Sequence, residues 1–209
     1  MTNLQKYICE LQQTMDYLAE SLISETIELL QEARLEQRQV FVMGNGGSAS
    51  TATHFACDLQ KNTRCEGLPD LRAISLTDNF ALISALANDE GYDMVFSQQL
   101  ASLIHPRDIV IAISASGNSA NVVKAIELAK SHGAITIGFT GFDGGRLGAL
   151  VDIHIHIPSD IIQHVEDIHL MLSHLICKTL TEKAKAISLE HQLLLLNPKF
   201  MPETHEIGD

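Results

Sequence analysis

Two stretches decide the fold: QVFVMGNGGS at 39–48 and DIVIAISASGNSA at 108–120. In each, a short run of mostly β-branched and apolar residues closes on small polar ones. Each then passes straight into a helical pattern, 46–60 after the first and 120–132 after the second. Continuous apolar runs of this length read as strands covered on both faces, which implies a parallel sheet between helices. The pattern repeats outward. RAISL (72–76) precedes a helical stretch near 81–86, AITIGFT (134–140) precedes a Gly-rich turn, and IHIHI (153–157) precedes a last long helix over about 161–190. Ahead of the first strand, Ile8, Leu11, Met15, Leu18, Leu22, Ile27 and Leu30 recur at helical steps, as one long amphipathic helix or two consecutive ones. The expectation is an α/β three-layer sandwich, a five-stranded mainly parallel sheet flanked by helices, with long N- and C-terminal helices. Residues 1–36 form a helical segment that packs on the core or on a partner subunit, 37–192 the main domain, and 193–209 a tail expected to lack order.

Composition narrows the classes of function. The 209 residues carry 14 Lys and Arg against 26 Asp and Glu, a net charge of −12. That balance argues against nucleic acid or an anionic membrane surface as partner, since both need clustered cations. With 45% apolar and 19% charged residues the chain has ample material for a core. Cys9, Cys57, Cys65 and Cys177 lie far apart without CxxC spacing, so neither a disulfide framework nor a thiolate zinc cluster is expected. The first twenty residues are charged throughout, and no stretch approaches the ~20 apolar residues of a membrane span. A cytoplasmic protein is the expectation.

Open parallel sheets bind ligands beyond the carboxyl ends of their strands. Two of those ends here suit an anion. Gly44-Asn45-Gly46-Gly47-Ser48 lets backbone approach a ligand closely and aims the first N–H groups of a helix at it. Ser114-Ala115-Ser116-Gly117-Asn118-Ser119 offers three hydroxyls and a run of backbone donors with no Lys or Arg, a nest suited to a compact phosphate monoester. A dinucleotide reading of Gly44-x-Gly46-x-x-Ala49 wants an acid ~20 residues on, and the nearest beyond the next strand is Asp78, much later. The Ser-rich loop also fits an ordinary helix N-cap with turn residues, but two such loops on one sheet favour the ligand.

These two loops together resemble the sugar isomerase (SIS) domain, and more narrowly the phosphoheptose isomerase family. The resemblance runs from the N-terminal helix to about Lys183. It includes Ala87-Asn88-Asp89, Thr140-Gly141-Phe142-Asp143-Gly144-Gly145 and Glu166-Asp167-Ile168-His169. It implies a SIS fold over 37–192 and interconversion of sedoheptulose 7-phosphate with D-glycero-D-manno-heptose 7-phosphate. It further implies a homotetramer with active sites between subunits. By the same resemblance, phosphate falls to Ser48, Ser114, Ser116 and Ser119, helped by Asn45, Gly46, Gly47 and Ala115, and Asp89 faces the sugar. Zinc falls to His54, Asp58, Glu166 and His174, with Glu166 also at the substrate, Asp58 as base and His174 as acid.

The residues themselves support part of this. His54 and Asp58 stand four apart and share a helix face, and Glu166 and His174, eight apart, project in broadly similar directions. Two imidazoles and two carboxylates make a zinc donor set. The competing readings are a satisfied core or cap His54, and a solvated face at Glu166 and His174, where His164 and His169 are also close. His154 and His156 share a strand face and read as structural. The chain departs from the resembled pattern in three places: Asp58 for Glu, Glu166 for Gln, and Asn62 for an Arg one turn after the base. These departures keep two alternatives open, an isomerase of another ketose phosphate and a non-catalytic regulatory SIS protein like the family's replication-initiator-associating relative.

Overall fold

The computed structural model describes residues 1–196. The expected tail therefore lies, beyond Leu196, outside the described residues. Five strands form one sheet: β1 (Gln39–Gly44), β2 (Arg72–Ser75), β3 (Ile109–Ser114), β4 (Ile135–Thr140) and β5 (Ile153–His156). Their order is β2-β1-β3-β4-β5 and every pairing is parallel, with Gly44 opposite Ile113 and Ser114 opposite Thr140. Chain order reverses between β1 and β3. At such a switch point the connections leave to opposite faces and open a crevice at the strand ends. The two anion-type loops both open there.

Among the described residues eight α-helices accompany the sheet: α1 (Asn3–Met15), α2 (Glu20–Leu35), α3 (Gly47–Lys61), α4 (Phe80–Asp89), α5 (Ser97–Ala101), α6 (Ala120–Ser131), α7 (Gly145–Leu150) and α8 (Ile162–Leu196). The N-terminal apolar stripe is thus two helices. The last helix runs on through a Leu-rich stretch of good helix formers, past the boundary expected near 190. The turn after β4 carries the short α7, and α5 has no counterpart among the sequence expectations. Strand side chains alternate between two cores. Val40, Val42, Ile109, Ile111, Ile113, Ile137 and Phe139 face α2, α3 and α8. Phe41, Met43, Val110 and Ala112 face α5, α6 and α7. Each fully buried Val, Ile or Phe contributes about 1.5–3 kcal/mol, so both faces hold the sheet.

The packing of α8 on α3 positions the site. Glu166 lies over Gly47, His174 stacks edge-on to His54 with ring centroids 4.9 Å apart, and Thr181 Oγ1 donates to the Asn62 carbonyl at 3.0 Å. Further along, Ser188 Oγ donates to the Glu66 carbonyl at 2.8 Å. The two helices therefore run side by side in the same direction, and residues on α8 meet α3 in sequence order.

Candidate active site

The Ser-rich loop and the Gly loop converge on a cavity of about 290 Å³. Asn45, Ser48, Ser114, Ala115, Ser116, Ser119 and Glu166 line it, together with Ile113, Phe142 and Ile162. Among the described residues no Lys or Arg is part of its walls. Gly46 opens α3 with φ 55° and gives no side-chain cap, which leaves the first N–H groups of α3 for a ligand. Ser119 stands at the N-cap position of α6 but makes no side-chain cap bond; its hydroxyl lies 3.3 Å from that of Ser114. The plain N-cap reading of this loop therefore does not account for Ser119. A Cβ on Gly47 would come within 2.5 Å of a Glu166 carboxylate oxygen, so glycine there lets the acid lie against the start of α3 and a larger residue would push it aside.

A second group sits further along the same helix pair. His54, Asp58 and His174 each offer a ligand atom, all within 4.8 Å of one another. Asp58 is held from two sides: Oδ1 accepts from Asn62 Nδ2 at 2.7 Å, and Oδ2 lies 3.5 Å from His54 Nε2. Asn62, which stands where the resembled pattern has Arg, thus fixes the shorter Asp side chain. Two imidazoles and a carboxylate match the donor chemistry of a divalent metal with one position left open. Glu166, expected as a fourth ligand, does not join this group among the described residues. Its eight residues of separation from His174 amount to about 12 Å of helix rise, and it belongs to the Ser cavity instead. Asp89 also lies apart: it ends α4, is exposed, and accepts from Asn88 Nδ2 at 2.7 Å.

Comparison with known proteins decides the family. The family model for the SIS domain matches residues 5–141. The phosphoheptose isomerase of Trichlorobacter lovleyi is 42% identical over 173 residues, covering 83% of this chain and 84% of that protein. That of Helicobacter pylori is 38% identical over 167 residues, covering 80% and 86%. The solved structure of a phosphoheptose isomerase from Francisella tularensis superposes with a TM-score of 0.78 at 30% identity, over 87% of this chain and all of that one. The chain belongs to the phosphoheptose isomerase family within the SIS domain.

Several residues of this family member acquire structural roles that the sequence hides. Phe142 walls the cavity with a left-handed φ of 49°. It is held there by its N–H on the Ser159 carbonyl at 3.1 Å and by His156 Nε2, which donates to its carbonyl at 3.0 Å. His154 Nε2 pairs with Thr140 Oγ1 at 2.7 Å. The strand histidines are therefore partnered props of the wall. Cys177, buried beneath the His–Asp group, has its thiol pushed up to about 12 by burial and then by the Asp58 charge, so it stays a neutral thiol.

His169 is 1% exposed and donates from Nε2 to the Thr140 carbonyl at 3.3 Å. Burial lowers its pKa from 6.5 to about 4. Between those values the unfolded chain takes up a proton that the folded one excludes. The stability it supports is complete above pH 6.5 and is lost as pH falls toward 4, by about 3 kcal/mol in all. In His169→Gln the amide still donates but does not titrate. Thermal unfolding across this window should show a shallower loss in His169→Gln than in the unsubstituted protein; identical slopes would show that His169 does not carry the effect.

Proposed function

We propose that the chain isomerises sedoheptulose 7-phosphate and D-glycero-D-manno-heptose 7-phosphate through an enediol. The observation that carries the reading is the two-station layout: an anion nest of neutral donors at the head of α3, and a carboxylate–imidazole group about 12 Å further along α8. A phosphate held at the first station lets an extended sugar reach the second, whereas a triose would fall short. In this reading Ser48, Ser114, Ser116 and Ser119, with the backbone from Asn45 to Gly47 and at Ala115, take the phosphate. Asp58 removes the C1 proton of the ketose and returns it to C2. His174 gives a proton to O2 and recovers one from O1, which balances the exchange. Zinc held by His54, Asp58 and His174 would supply Lewis-acid polarisation of the carbonyl. Glu166, beside the nest, is left to orient the sugar rather than to hold metal.

The same proposal makes the enzyme a cytoplasmic homotetramer with sites shared between subunits. Its support is apolar surface without cover: α4 has no buried residue, and Phe80 at its start is 79% exposed. Asp89, on that helix, would then face a neighbouring copy's sugar. The test is turnover of sedoheptulose 7-phosphate by purified protein of size known from light scattering, before and after chelation and zinc return. Turnover by a tetramer, lost on chelation and restored by zinc, is the expected result. Persistence without metal would remove the zinc assignment, and a monomer the shared site. A folded, phosphate-binding protein without turnover would shift the reading to another ketose phosphate or to regulation.

A further inference from the structure

The Asn45 side chain, although it stands at the edge of the anion nest, is bonded to protein through both its amide nitrogen and its amide oxygen. Its Nδ2 donates to Asn121 Oδ1 at 2.8 Å, and its Oδ1 accepts from Asn121 Nδ2 at 2.9 Å and from Tyr92 Oη at 2.9 Å. Asn121 is 2% exposed, at the second position of α6, and its Oδ1 also accepts the Val122 N–H at 2.9 Å. The reciprocal amide pair therefore spans from the loop after β1 to the first turn of α6, which follows the Ser loop after β3, across the switch point of the sheet. Tyr92 adds a third attachment from the 3-10 turn Tyr92–Met94, which is itself tied to α6 by the Lys124–Asp93 ion pair.

We propose that Asn121, assisted by Tyr92, is a positioning residue that sets the spacing of the two phosphate loops through the Asn45 side chain. The inference rests on the anion-nest reading of the Ser cavity. A phosphate held by neutral donors has no strong cation to tolerate misalignment. Its affinity depends on Ser48 and the α3 N–H groups on one side meeting Ser114, Ser116 and Ser119 on the other at fixed distance. The Ser loop is also bonded to the turn after β4, by the Gly141 N–H on the Ala115 carbonyl at 2.8 Å and the Leu147 N–H on the Gly117 carbonyl at 2.9 Å, but those contacts do not tie it to the Gly loop. The reciprocal pair holds a half-buried Asn45 against a buried Asn121, and losing Asn45 would strand the Asn121 amide away from water. Asn45 thus contributes to phosphate by where it holds the loops.

The test measures binding of inorganic phosphate and the steady-state constants for the sugar phosphate in Asn121→Ala, Asn45→Ala, the double variant and Tyr92→Phe. Asn121→Ala should raise the phosphate Kd and KM together by about 10-fold, the scale of a sub-ångström to 1 Å misplacement, while kcat changes by less than about twofold. Because Asn121 acts through Asn45, the double variant should be no weaker than Asn45→Ala alone. Tyr92→Phe, at an exposed residue, keeps the fold and should raise the phosphate Kd about threefold, which decides the matter if Asn121→Ala does not fold. Unchanged phosphate affinity in the folded variants, additive losses in the double variant, or a fall in kcat alone would each overturn the proposal. If the unsubstituted protein binds no phosphate, the anion nest fails and the strut with it. If it binds phosphate but turns over no sugar, the nest stands, the isomerase reading fails, and the binding arms still decide.

Discussion

Asp58→Ala and His174→Ala should each lower turnover of sedoheptulose 7-phosphate by about 10²–10⁴-fold, the range of a removed general acid or base. The two groups share one station with His54, so removing either also takes a donor from the set. Neither lines the Ser cavity. Asp58 lies ten residues beyond Ser48 on α3, about 15 Å along the helix, and the phosphate station should not register its loss. The signature is therefore specific: kcat falls by orders of magnitude while the Kd for inorganic phosphate stays within about twofold. Because the two residues act as a unit, the double variant should be scarcely slower than either single one. Steady-state kinetics beside phosphate titration checks this. Turnover within tenfold of the unsubstituted protein in both variants would remove them from the chemistry. A parallel loss of phosphate binding would show instead that the two stations are one.

The partition between the stations is the point at which sequence and structure part company. Strand and helix alternation, the two loops and the pairing of His54 with Asp58 follow from local periodicity, which survives in any single sequence. The companionship of Glu166 with His174 rests on their common helix, and angular agreement over eight residues says nothing of the rise between them. Only the packing of α8 along α3 shows that Glu166 meets Gly47 while His174 meets His54. The roles of Asn121, Tyr92 and Phe142 were hidden for a related reason. An Asn in the first turn of a helix looks the same whether it caps locally or reaches 76 positions back to another loop. In the same way, Asn62 reads as the loss of a cation until its amide is seen on the Asp58 carboxylate.

Gly117→Ala should be the most damaging small change in the anion nest. Gly117 has φ +63°, a conformation that costs an alanine about 1 kcal/mol by itself. The larger part is steric. Its Cβ would stand 2.1 Å from the Gly144 carbonyl oxygen, 2.7 Å from that carbonyl carbon and 3.1 Å from Gly145 Cα, all backbone atoms that no rotamer change can move. The two segments are also bonded, with the Leu147 N–H on the Gly117 carbonyl at 2.9 Å, so separating them breaks the start of α7 as well. A loss of about 2–4 kcal/mol, or roughly 5–15 °C in Tm, is expected, with phosphate affinity reduced at least about 100-fold as Ser116 and Ser119 are displaced. Gly46→Ala provides the contrast. It has φ +55° with ψ −122°, backbone that favours glycine, but nothing within 4 Å of its Cβ, so only the conformational cost of about 1–3 kcal/mol applies, without the backbone clash. Thermal unfolding of the two variants separates the causes. If Gly117→Ala were as mild as Gly46→Ala, the close stacking of the Ser loop on the Gly144–Gly145 turn would not be what shapes the nest.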